Sequence, residues 1–180
     1  MSAEGGWSRG QRGLHWLTAA LVLLGFILAW IMVALPFRPL WLKFTLYQIH
    51  KTIGLLVIAC TVMRLISRTL RGRPAWAADI SAAQRRLACV AHAALYALLL
   101  IVPLLGYFVA ATSPLPVPTL LFGMIPVPHV LGPDRAFFEL LRPLHRAAAI
   151  LLISLAAGHA ALAIRHHRAG SPVLRRMWRG

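Results

Sequence analysis

The stretch that decides the fold is LLRPLHRAAAILLISLAAGHAALAI, residues 140–164. At about 1.5 Å per residue it crosses a hydrocarbon layer of about 30 Å, and beyond Arg146 it carries no further charge. Two histidines lie within it, His145 and His159, 14 residues apart. At about 100° per residue that spacing falls about 40° short of four full turns. Both rings therefore leave one helix face, about 21 Å apart along the axis.

Working outward, three more apolar runs match this one. Residues 14–35 are uncharged between Arg12 and Arg38, and residues 87–111 are uncharged throughout, with Pro103 and Gly106 expected to bend the helix. Residues 44–66 form a weaker span, interrupted near its start by Gln48, His50 and Lys51. Between the third and fourth runs stand Pro114, Pro116, Pro118, Pro126, Pro128 and Pro133, a density that excludes a long helix and predicts an ordered external loop. The first run exceeds the usual 7–15-residue core of a signal peptide, and Trp30 and Pro36 stand where small residues would mark cleavage, so a retained helix is expected.

Composition agrees. Charged residues make up 13% of the 180, against about 25% in soluble domains, and only four are acidic. The expected class is all-α: an integral membrane four-helix bundle forming one domain over residues 1–180. The net charge of +15 is carried at the ends of apolar runs and forms no basic stripe, so it reads as membrane topology and not as nucleic-acid binding. Thirteen Lys and Arg fall in the N-terminus, the second connection and the C-terminus, against six in the other two connections. That bias places both termini in the cytoplasm.

Ionisable groups inside spans are costly and face the bundle interior. Of eight histidines, five lie in spans: His15, His50, His92, His145 and His159. With the fourth helix entering from outside, depth pairs His50 with His145 near the outer surface and His15 with His159 near the inner one. Two stacked bis-histidine haem sites satisfy all four, with imidazole as axial ligand on facing helices. Zinc or copper would need three or four clustered ligands, and a proton relay would need buried carboxylates. With Cys60 and Cys89 apart and no C-x-x-C-H motif, the haems would be held without thioether bonds, as haem b.

His92, at the inner end of the third helix, competes with His15 as a ligand or lies beside it as a hydrogen-bonding neighbour near a haem propionate. Lys51 and Arg146 follow the outer ligands, and Arg64 and Arg68 sit at the inner end. All four are candidates to neutralise propionates, or are interfacial cations with extended stems. His129 is read as solvated in the proline-rich loop, and His166 and His167 as interfacial.

The chain resembles the bacterial cytochrome b561 family, including its superoxide:ubiquinone oxidoreductase type. The matching segments begin with Gly13-Leu14-His15-Trp16, His50-Lys51-Thr52-Ile53-Gly54, Val62-Met63-Arg64-Leu65 with Arg68, and Ala91-His92 ahead of Tyr96, Pro103 and Gly106. They continue with Phe122-Gly123, Gly132-Pro133-Asp134, Leu144-His145, Gly158-His159, His166-His167 and Val173-Leu174-Arg175-Arg176. The resemblance implies a multi-pass protein of a bacterial inner membrane, with two haem b groups on the same four histidines. It also implies electron exchange between the membrane quinone pool and a partner, either a redox protein or a small oxidant or reductant. The expected partner is a donor on the periplasmic side, superoxide being suited to the net positive outer connections, with ubiquinone as the expected acceptor. A haem subunit relaying electrons for a separate protein, and a haem-free transporter or assembly protein, are the competing expectations.

Overall fold

The computed structural model describes residues 6–36, 39–77, 79–115 and 117–179; Arg38 and Pro116 lie outside these. Four long helices follow in order: α1 (Arg9–Ala34), α2 (Leu40–Arg71), α3 (Ala82–Thr112) and α4 (Arg135–Arg168). All four are long and apolar enough to span a membrane. Each extends several residues beyond the apolar run that announced it, because polar residues at the interface continue the helix into the headgroup layer. Ser8 with Gln11 and Ser81 with Gln84 form capping boxes that start α1 and α3, and Asp134 accepts from the Phe137 N–H to start α4. Pro103 lies inside α3 and Pro143 inside α4, and both helices continue through them.

Consecutive helices pack against one another, and α4 meets α1 more sparingly than it meets α3. Ile53, Val57, Leu99 and Leu152 form a small buried core, with Leu21, Val22, Leu28, Leu95, Leu98 and Val102 against it. Leu152 stands midway between His145 and His159, so this apolar layer separates the two histidine levels. Most other large apolar side chains face outward, as a lipid-exposed surface requires.

The proline-rich connection is more ordered than a loop. Strands β1 (Thr119–Leu121) and β2 (Ile125–Val127) pair antiparallel around Phe122 and Gly123, both at positive φ. This hairpin lies on α2: Gln48 Nε2 donates to Pro118 O (2.8 Å), Leu120 N–H donates to Gln48 Oε1 (2.9 Å), and Phe122 N–H donates to Thr52 Oγ1 (3.1 Å). At the opposite end a short helix, α5 (Val173–Trp178), returns to α1, where Trp16 Nε1 donates to Met177 O and the Trp16 and Trp178 rings meet edge-on at 5.0 Å. Gln11 there donates to Gly72 O and Arg176 to Ala75 O. The start of α1, the α2–α3 connection and the end of the chain thus share one end of the bundle.

Candidate functional site

At the hairpin end, α2 and α4 bring His50 and His145 together with ring centres 6.3 Å apart and planes nearly perpendicular, at 86°. Each ring is fixed by a main-chain carbonyl: His50 Nδ1 lies 3.0 Å from Gly25 O, and His145 Nδ1 lies 2.9 Å from Val102 O. A carbonyl only accepts, so both Nδ1 atoms carry the proton and both Nε2 atoms keep a lone pair. That is how proteins hold a metal-ligating imidazole.

Two glycines make this possible. A Cβ on Gly106 would lie 2.9 Å from His145 Cε1, so the α3 backbone reaches the ring only because no side chain intervenes. A Cβ on Gly25 would lie 3.2 Å from Ile53 Cγ2, so α1 and α2 close tightly where His50 takes its carbonyl.

At the other end, α1 and α4 bring His15 and His159 to the same centre-to-centre distance, 6.3 Å. His92, from α3, is closer to His159, at 5.3 Å. The surroundings are cationic. Arg64 Nη2 lies 3.2 Å from His15 Nδ1, and the guanidinium groups of Arg64 and Arg68 stack over Tyr96 at 5.1 and 5.8 Å. A guanidinium only donates, so here His15 Nδ1 accepts and its proton sits on Nε2. The two ends therefore differ: the hairpin pair is already in the metal-binding tautomer, and His15 is not.

Both 6.3 Å separations suit a shared metal. Two metal–imidazole bonds of about 2.0–2.1 Å plus two ring radii of about 1.1 Å come to about 6 Å between ring centres. The 5.3 Å between His92 and His159 is shorter than either of those separations. Among the described residues, no cluster of three or more His, Cys, Asp or Glu that could hold a bare ion occurs.

Of the four candidate propionate partners, Arg64 lies against His15 and Arg68 stacks with it on Tyr96. Lys51 ties α2 to the hairpin connection, donating to Val117 O (3.3 Å) and Pro118 O (3.2 Å), and Arg146 is exposed. His129 departs from the sequence reading. It is half-buried, with Nε2 2.9 Å from Thr119 Oγ1 and its ring 5.9 Å from Tyr107. Burial, and then Lys51, pull its imidazole below the ordinary histidine range. Sequence reasoning missed Gly25, the Val102 carbonyl and the contact role of Gly106. The small residues were visible in the apolar runs, but which carbonyl faces which ring is set only by helix rotation.

A family model described as prokaryotic cytochrome b561 matches residues 6–180. A relative from Escherichia coli (strain K12), "Cytochrome b561 homolog 2", is 30% identical over 153 residues, covering 85% of this chain and 80% of the relative.

Proposed function

This chain belongs to the prokaryotic cytochrome b561 family, multi-pass haem b electron-transfer proteins of the bacterial inner membrane, and from that premise we propose that it is a dihaem quinone-linked cytochrome. His50 and His145 ligate one haem and His15 and His159 the other. The observation that carries this reading is the equal 6.3 Å spacing of two histidine pairs at opposite ends of the bundle. The 5.3 Å approach of His92 to His159 supports its part as a neighbour of the inner ligand and not as a ligand.

Haem b supplies, when bound, a one-electron iron couple whose potential depends on axial ligation, burial and nearby charge. The rest belongs to the chain. The Gly25 and Val102 carbonyls hold His50 and His145 in one tautomer and orientation, and the core around Ile53, Val57, Leu99 and Leu152 excludes water between the two levels. Ligation through His15 Nε2 requires the proton on Nδ1, so Arg64 must leave that nitrogen and is then available to a propionate.

The electron donor meets the hairpin end, and membrane ubiquinone accepts. Superoxide suits that end because its connections carry an excess of Lys and Arg over Asp134 and Glu139. The test is a reduced-minus-oxidised spectrum with haem quantification on purified protein. Two b-type haems per chain are expected, with one lost in either His50→Ala or His145→Ala, and the other in either His15→Ala or His159→Ala. A colourless protein overturns the reading. Loss of a haem in His92→Ala, with both kept in His15→Ala, reassigns the inner pair.

A further inference from the structure

Arg12 lies one turn before His15 on α1, and residues three apart share a helix face. Its Nη1 is removed from solvent and has no hydrogen-bond partner among the described residues. A guanidinium nitrogen in that condition is unfavourable, because it has lost water and gained no acceptor. Among the described residues, no acidic side chain supplies one. Asp134 caps α4 and Glu139 pairs with Arg135, both at the hairpin end; Asp79 is exposed in the α2–α3 connection, and Glu4 lies outside the described residues. Arg64, against His15, and Arg68 are both stacked on Tyr96 and bring no acceptor either.

Resting on the haem reading above, we propose that Arg12 is a carboxylate-binding residue whose partner is a propionate of the inner haem. Arg12 stands one turn from His15 on α1, Arg64 from α2 lies against His15, and among the described residues no acidic side chain accompanies them, whereas a haem brings two carboxylates on one edge. An arginine paired with a carboxylate forms the stronger, charge-assisted class of hydrogen bond. The shared chemistry, an anionic oxygen near the inner surface, also belongs to a lipid phosphate, and the test separates the two sources.

The experiment follows haem transfer from the purified, haem-loaded full chain to apomyoglobin. It compares protohaem with its dimethyl ester, which lacks both propionate charges. With protohaem, Arg12→Gln should release one of the two haems roughly tenfold or more faster and leave the other unchanged, the factor expected for losing one charge-assisted bond. Arg12→Lys should recover much of the loss. With the dimethyl ester, Arg12→Gln should release haem no faster than the unaltered chain.

Two haems bound and released at unaltered rates in Arg12→Gln overturn the Arg12 assignment and leave the haem reading intact. Equal acceleration for haem and ester also overturns it and gives the atom to lipid phosphate. Should Arg12→Gln fail to accumulate, Arg12→Lys is put through the same comparison, and a defect equal for haem and ester overturns the proposal. An unaltered chain that binds no haem sinks the underlying reading, and this inference with it.

Discussion

A larger residue at Gly106 would bury more surface between α3 and α4, but its Cβ would sit 2.9 Å from His145 Cε1. Gly106→Val therefore has to displace the ring or the helix, at a cost of about 1–3 kcal/mol. The expected outcome is loss or spectral alteration of the outer haem alone, read as haem per chain and by the band positions. Two haems with unchanged spectra would mean that the ring is not held against α3. A second expectation comes from the tautomers. His50 and His145 are set for ligation by main-chain carbonyls, whereas His15 must first exchange its bond to Arg64. His159→Ala, which keeps the outer pair, should hold its haem against apomyoglobin longer than His145→Ala, which keeps the inner one. The reverse order would show that Arg64 strengthens the inner site from the start. At this scale the histidine pairs were legible, because a 14-residue interval and depth in the membrane are properties of the sequence. The Nδ1 partners were not, being carbonyls with no side-chain signature. Arg12 read only as topology, because a chain cannot display which of its cations lacks water.

Among the elements, the four helices were legible from their apolar runs, and their ends were short by several residues wherever interfacial polar residues prolonged them. The hairpin was the least legible. Its strands have three residues each, β2 contains Pro126, and the turn places Phe122 at φ 55°, a conformation glycine adopts far more easily. What holds it is a residue that read as a defect: Gln48 interrupts the second apolar run, yet it is buried and clamps both Pro118 O and Leu120 N–H. Gln48→Leu fits an apolar span better but leaves those two main-chain groups without the amide, costing about 1–3 kcal/mol for each group left buried. Protease added from the outer side should then cut the connection between α3 and α4 faster, with haem content retained. Unchanged cleavage would assign the hairpin's order to its other anchors, Thr52 and Lys51. Conversely, Phe122→Gly relieves the positive φ and should slow that cleavage, by up to about 1 kcal/mol of local stability.

For the whole molecule, the ends of the bundle are chemically unlike. The start of α1, the α2–α3 connection and α5 form one end, joined by the Trp16, Gln11 and Arg176 bonds, and that end carries most of the Lys and Arg. By the positive-inside rule we propose that this end is cytoplasmic and the hairpin periplasmic. A C-terminal reporter that matures only in the cytoplasm should be active, and the same reporter inserted after Leu131 should be silent; the opposite pattern would invert the donor and cytoplasmic faces. With the hairpin outward, as proposed, a donor there would meet the excess of cations on the outer connections. A small anion is drawn to such a surface over about one Debye length, which shrinks from about 30 Å at 0.01 M salt to about 8 Å at 0.15 M. Superoxide-driven ubiquinone reduction by the purified protein should therefore slow several-fold across that range. Charge reversal at Arg146, an exposed cation beside the outer pair, should lower the low-salt rate and flatten the slope. A rate indifferent to salt in the unaltered chain would exclude electrostatic capture of a small anion. It would favour a redox protein docking at the same end, whose co-purification in fixed ratio is then the measurement to make.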